Sequence, residues 1–304
     1  MDFDLAQLRA LDAAVTEGTF EAAARALRVT PSAVSQRLKA LEAAAGRVLL
    51  VRTKPIRVTA SGAVVLRMAR EIELLAADTA LELGSAEPSG PRFALPLAVN
   101  ADSLATWVLP ALVPLADSIG FQIHREDQDH TSDLLREGSV MAAITTQSQP
   151  VPGCRAVRLG GMRYRPMATP GFAARWFPDG VTPAALGAAP VVVFDRNDDL
   201  QHRYLRRRTA KPIDPPAHHI PSSVDFLTAV RLGLGWGMLP DLQSDHPERT
   251  GEVIDLDPRG AIDVVLHWQQ WKLRSASLDR VADVVLQAAQ THLHQNPRPH
   301  SPRK

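Results

Sequence analysis

Phe20-Glu21-Ala22-Ala23-Ala24-Arg25-Ala26-Leu27, a short turn, and then Thr30-Pro31-Ser32-Ala33-Val34-Ser35-Gln36-Arg37-Leu38-Lys39-Ala40-Leu41-Glu42 read as a helix-turn-helix. Such a unit needs small residues where its helices cross, and Ala22, Ala23 and Ala24 supply them. Thr30 suits the cap of the second helix and Pro31 its first turn. Val34, Leu38 and Leu41 recur at helical spacing and point inward. Ser32, Ser35 and Gln36 put polar groups where a reading helix enters the major groove, and Lys39 continues that face. Glutamine can pair bidentately with adenine, and serine can reach several base edges.

Upstream, Leu5, Leu8, Leu11 and Val15 predict one more helix. Downstream, Val48–Val51, a Lys54-Pro55 turn and Ile56–Val58 predict two short strands, a wing carrying Arg52, Lys54 and Arg57. Thr59 then caps a long helix to about Leu83. Its Val65, Met68, Ile72 and Leu75 could form a seam against a second copy of the chain.

Charge follows the same segment. The 304 residues carry 34 Lys+Arg and 33 Asp+Glu, a net of +1. From Arg25 to Arg57 there are eight Lys/Arg and one acid, Glu42, a net of +7. Positive charge is thus concentrated on the reading unit, as phosphate binding requires. A small helical bundle with a solvated basic face is the alternative on these residues alone.

Gly84-Ser85-Ala86-Glu87-Pro88-Ser89-Gly90-Pro91-Arg92 cannot continue a helix and reads as a linker. Beyond it, strand-like and helix-like runs alternate, which implies parallel α/β sheets. Strands are expected at 93–100, 121–126, 140–146, 163–168, 190–195, 217–221, 235–239 and 262–268, and the last helix at 276–294. Residues 296–304 read as a flexible tail. One cysteine, Cys154, excludes a disulfide framework and a multi-thiolate metal site. No signal-peptide core or transmembrane run is present, so a cytoplasmic location without membrane association is expected.

The runs Leu8–Ala13, Thr19–Ala24 and Val29–Glu42 resemble the N-terminus of LysR-type transcriptional regulators. Gly46, Leu49–Arg52 and Thr59–Gly62 stand at matching spacing. The resemblance implies an α+β multidomain chain. A winged helix-turn-helix (1–58), a dimerising linker helix (59–83) and a hinge (84–92) precede an effector domain (93–295). That domain would have two periplasmic-binding-protein-like subdomains, about 93–162 plus 269–295 and about 163–268. The resemblance implies base contacts from Pro31, Ser32, Ser35 and Gln36 and a wing contact from Arg52. It implies a homodimer or homotetramer on double-stranded DNA, with RNA polymerase as a further candidate partner.

Strand-to-helix corners suit a carboxylate ligand. Val99–Trp107 offers Asn100, Asp102 and Ser103, and Ile220–Asp225 offers Ser222 and Ser223. Thr145 and Thr146 follow a strand, and Asp195 closes another. Asp102, Asp195, Asp198 and Asp199 could neutralise a cation or merely cap helices; Asp102 and Asp195 are the preferred ligand candidates. These segments resemble the branch of the family that senses lysine or arginine and controls amino-acid export. A regulator of another metabolite and an effector-independent architectural DNA binder are the alternatives.

Other signals point elsewhere. Gly233-Leu234-Gly235-Trp236-Gly237 follows a helix and leads into a strand, the wrong order for dinucleotide binding. His218 and His219 are adjacent and face opposite sides of a strand. No nucleophile triad, paired-carboxylate motif, metal site or cofactor motif is read, so an enzyme is not expected.

Overall fold

The computed structural model describes residues 3–84, 93–125, 131–209 and 211–296. The expected hinge, apart from Gly84, and the expected tail, apart from Asn296, lie outside the described residues.

The N-terminal part contains α1 (Leu5–Glu17), α2 (Phe20–Ala26), α3 (Pro31–Ala45), β1 (Leu50–Val51), β2 (Arg57–Val58) and α4 (Ala60–Glu82). The first three helices pack around Leu8, Leu11, Val34, Leu38 and Leu41, with Leu49 and Leu66 from the following segments. Ala23 and Ala24 are buried, as close helix crossing demands. β1 and β2 pair antiparallel, Leu50 opposite Val58. Thr59 Oγ1 accepts from Gly62 N–H and so starts α4.

The remainder runs β3 (Ala94–Val99), α5 (Ala101–Ser103), α6 (Leu109–Leu112), β4 (Gly120–Arg125), α7 (Thr131–Arg136), β5 (Ala142–Thr145) and β6 (Cys154–Ala168). Next come α8 (Pro170–Trp176), α9 (Pro183–Ala188), β7 (Val191–Val193), α10 (Leu200–Arg208) and β8 (Ala217–His219). The chain continues with α11 (Ser223–Arg231), β9 (Gly237–Pro240), α12 (Asp241–Arg249), β10 (Ile254–Asp255), β11 (Ile262–Trp271) and α13 (Ala276–His292).

The described residues form two compact units. One draws on the described residues within 3–99, 113–157 and 268–283, the other on those within 100–112, 158–267 and 284–296. In the first, β3 lies parallel to β4 and β5. In the second, β7 and β8 are parallel, whereas β6 pairs antiparallel with β9 and β10. The parallel sheets expected from strand–helix alternation are therefore mixed. The strand expected at 163–168 is the last part of the 15-residue β6, and it is this part that runs against β9 and β10.

The segment between β3 and β4 does not form one continuous helix. A π-helical stretch, Leu104–Val108, separates α5 from α6, and a 3-10 turn follows at Val113–Leu115. Pro110 and Pro114 lack the N–H that a continuous helix needs. α12 contains Pro247.

Candidate functional site

On α3, the buried face of Val34, Leu38 and Leu41 fixes what the other face presents. Pro31, Ser32, Gln36 and Lys39 are exposed and Ser35 is partly so. Thr30 is engaged in capping: its hydroxyl accepts from Ala33 N–H at 3.2 Å and lies 2.9 Å from Ser32 Oγ. Arg52, Lys54 and Arg57 of the wing are exposed, and the Arg52 guanidinium sits 5.8 Å from the Phe20 ring centroid. None of the eight basic side chains from Arg25 to Arg57 joins an ion pair among the described residues. Glu42, the acid among them, is used structurally. Its carboxylate accepts from Leu49 N–H at 2.9 Å and Leu50 N–H at 3.4 Å, pinning the wing to α3.

α4 is tied at its middle and near its C-terminal end within the first unit. Buried Arg70 donates to Asp12 at 2.7 Å and to Thr16 at 3.0 Å, both on α1. It also donates to the carbonyls of Gly138, at 2.8 Å, and Ser139. Further along, buried Asp78 accepts from Ser275 Oγ at 2.6 Å and Ser277 N–H at 3.2 Å, at the start of α13.

The second unit holds the other site. Asp102 is partly open to solvent, yet its carboxylate oxygens are both engaged. One accepts from Ser223 Oγ at 2.6 Å, the other from Tyr164 OH at 2.7 Å. Gln243 Nε2 in turn donates to Ser223 Oγ at 2.7 Å. Loss of hydration pushes the Asp102 carboxyl up, and the two hydroxyl donors only partly oppose this. Asn100 Oδ1 and Ser103 Oγ, flanking Asp102 in the chain, are sealed from solvent without a hydrogen-bond partner.

Asp198 is a second carboxylate of this region. It accepts from Phe194 N–H at 3.1 Å and Leu200 N–H at 3.0 Å. Burial raises its pKa, backbone donors lower it, and the negative charge of Asp102 raises it again. Tyr164 is pushed well above its ordinary value by burial first, then by Asp102 and Asp198. Among the described residues, neither Asp102 nor Asp198 has an ion-pair partner.

The structure thus brings Asp102 and Ser223 together and sets Asn100 and Ser103 beside them in the chain. Asp195 does a local job: it accepts from Asn197 N–H at 2.7 Å and Asp198 N–H at 3.0 Å. Ser222 caps α11 through Asp225 N–H. Thr145, buried at the end of β5 in the first unit, accepts from Gln147 N–H at 3.2 Å, and Thr146 follows it. Tyr164 and Gln243 escaped the sequence reading, whereas Asp198 was weighed there as a cation partner or a helix cap and was not preferred. Nothing local marks Tyr164 or Gln243, and Asp198 looks like one cap among several. A cavity of about 220 Å³ beside α10 is lined by Asp195, Asp198, Gln201 and the apolar Val191, Val193 and Leu205.

Residues 5–63 match the family profile described as bacterial regulatory helix-turn-helix protein, lysR family, and residues 91–290 match the LysR substrate binding domain. The chain belongs to the LysR family. It is a DNA-binding transcriptional regulator, not an enzyme. It is similar to the lysine export transcriptional regulatory protein LysG of Corynebacterium glutamicum, 43% identical over 286 residues, 93% of this chain and 97% of the relative. Among solved structures it resembles ArgP of Mycobacterium tuberculosis, with a TM-score of 0.83 and 43% identity over 97% of this chain and all of the other. It also resembles full-length Corynebacterium glutamicum LysG with bound effector Arg, with a TM-score of 0.74 and 40% identity over 96% of this chain and all of the other.

Residues 5–63 are accordingly the regulator's helix-turn-helix domain, and residues 91–290 its substrate-binding domain. No helix among the described residues is long and apolar enough to cross a membrane.

Proposed function

We propose that this regulator is controlled by a basic amino acid, lysine or arginine, and switches an amino-acid exporter gene. The observation that carries the reading is Asp102: a carboxylate with hydroxyl partners and no cation, flanked by unpartnered Asn100 Oδ1 and Ser103 Oγ. A partly dehydrated carboxylate without a counter-ion is costly. A ligand's ammonium or guanidinium relieves that cost and brings donors for the orphaned oxygens. The relatives named for lysine export and solved with arginine support the same class of effector.

Asn100, Asp102, Ser103 and Ser223 form the centre of the effector site in the second unit, and Asp195 and Ser222 are candidates for its periphery. On DNA, Ser32, Ser35, Gln36 and Lys39 face the major groove, with Thr30 and Pro31 at the helix start. Arg52, Lys54 and Arg57 hold phosphates. The regulator acts in the cytoplasm as a homodimer or homotetramer, with RNA polymerase as its partner at the promoter. A ligand that binds one state better than the other shifts the DNA-bound geometry.

The test is a thermal-shift titration with lysine, arginine, histidine and uncharged norleucine. A ligand at 100 times its dissociation constant adds about 2.7 kcal/mol. Stabilisation by lysine or arginine but not norleucine is expected. No shift with any of them removes the basic amino-acid assignment and favours another metabolite.

A further inference from the structure

Among the described residues, Arg28 is the one non-glycine residue with a positive φ, 54°. It stands in the turn between α2 and α3. There Arg28 N–H donates to the Arg25 carbonyl at 3.2 Å, and Val29 N–H closes back on the Ala24 carbonyl at 2.9 Å. Such a closure needs a left-handed residue, and glycine or asparagine fills the place with least strain. α3 ends in the same way. Arg47 N–H donates to the Glu42 carbonyl at 3.2 Å, and the left-handed residue is Gly46. α1 also closes on a glycine, Gly18. α2 alone of the three closes on a side chain whose Cβ the left-handed region disfavours. Strain kept at an exposed position calls for a use of the side chain.

No such use lies within the protein. Arg28 is exposed, and its side chain joins no ion pair, hydrogen bond or ring contact among the described residues. A cation near a helix C-terminus is favourable, but Arg25 in the last turn of α2 already supplies one. No acid occurs between Glu21 and Glu42, so nothing nearby in the chain offsets the two arginines. In a helix-turn-helix the first helix crosses the DNA backbone while the second enters the major groove. Basic groups mark both ends of that first helix. Arg52 of the wing lies against Phe20, the first residue of α2, and Arg28 follows its last turn.

We propose that Arg28 is a phosphate-binding residue, holding the DNA backbone at the C-terminal end of α2 as the wing holds it at the other. The proposal rests on the reading of α3 as the groove-entering helix. The contact reads no base; it fixes register and adds affinity. Folding stability is given up at the turn for an ion pair made only on DNA.

Fluorescence anisotropy of the full-length protein over a salt series tests this. The probes are a duplex that the wild-type protein selects from a random library and its scrambled counterpart. Arg28→Asn suits the left-handed turn and removes the charge. It is expected to weaken binding to the selected duplex about five- to tenfold at about 0.1 M salt and to lower the salt slope by about 1. The melting temperature of the free protein is expected to hold or rise. Arg28→Lys is expected to keep the slope. Arg249→Asn, which removes an exposed charge from the second unit, is expected to leave it unchanged. Unaltered affinity and slope in Arg28→Asn overturn the proposal. A weaker affinity with a lower melting temperature also overturns it, because it marks a structural role. So does an equal loss of slope in Arg249→Asn, which net charge alone explains. Gln36→Ala with an undiminished preference for the selected over the scrambled duplex overturns the reading of α3 and the proposal with it, whereas the Arg28 results overturn the proposal alone.

Discussion

Ser223 donates a 2.6 Å hydrogen bond to Asp102, joining the start of α11 to the start of α5 within one unit. The contact holds Asp102 in place without neutralising it. Gln243 steadies Ser223 from behind. The arrangement gives up stability at one carboxylate so that an incoming cation finds a fixed partner.

Asp102→Asn is expected to abolish stabilisation by lysine or arginine while raising the melting temperature of the ligand-free protein. The sign follows from the raised pKa. A carboxyl whose folded pKa lies above its unfolded one costs stability at pH above the folded value. That cost fades as pH falls toward the unfolded value. The gain from asparagine is therefore largest at neutral pH, on the order of 1 kcal/mol because the group is partly solvated. Scans at neutral and acidic pH, with and without ligand, check this; an unstable Asp102→Asn protein that still responds to arginine contradicts it.

Gln36→Ala is expected to lower operator binding by about 1–3 kcal/mol while leaving binding to random DNA nearly unchanged. Arg57→Ala is expected to weaken both equally and to reduce the salt slope by about 1. Fluorescence anisotropy on operator and scrambled duplexes over a salt series distinguishes base reading from phosphate holding.

Gly62 sits where a Cβ would lie 1.9 Å from the Leu49 carbonyl oxygen, so Gly62→Ala forces α4 and the wing apart. A loss of about 1–3 kcal/mol is expected, together with weaker DNA binding because the wing shifts. Denaturant unfolding followed by DNA titration measures both.

Arg70→Ala is expected to be among the most destabilising single changes in the first unit. Arg70 is 4% exposed and serves α1 and the Gly138–Ser139 carbonyls at once. Loss of a buried paired charge costs about 3–5 kcal/mol, reduced here because Asp12 keeps some access to water. Arg70→Lys does not restore it, since one ammonium cannot span the partners of a planar fork. Chemical denaturation compared with Asp12→Asn, which leaves the carbonyl partners in place, is the decisive measurement.

Much of the fold was legible because its signals are local. Thr30, Pro31 and the 3–4 spacing of Val34, Leu38 and Leu41 define α3 without help from distant residues, and Thr59 defines the start of α4. The glycine string at 233–237 read correctly as a helix-to-strand turn: Gly233 adopts φ +76° after α11, and a Cβ on Gly235 would press on the Pro190 carbonyl. The antiparallel pairing of β6 was not legible, because strand direction depends on which edges meet. Nor was the break in the helix after Asn100, where two prolines compete with otherwise helical residues.

The sequence by itself determined the reading helix, the wing, the concentration of positive charge and the family, since each depends on residue type at short spacing. It also marked Asp102 and Ser223 as candidates, but as separate corners. Only the tertiary structure decided that they touch and that Tyr164 completes the carboxylate's shell. The physical reason is that a carboxylate's role is set by hydration and neighbouring charge. Both are properties of what packs around it: Asp195 and Asp198, three residues apart, accept from different backbone N–H groups.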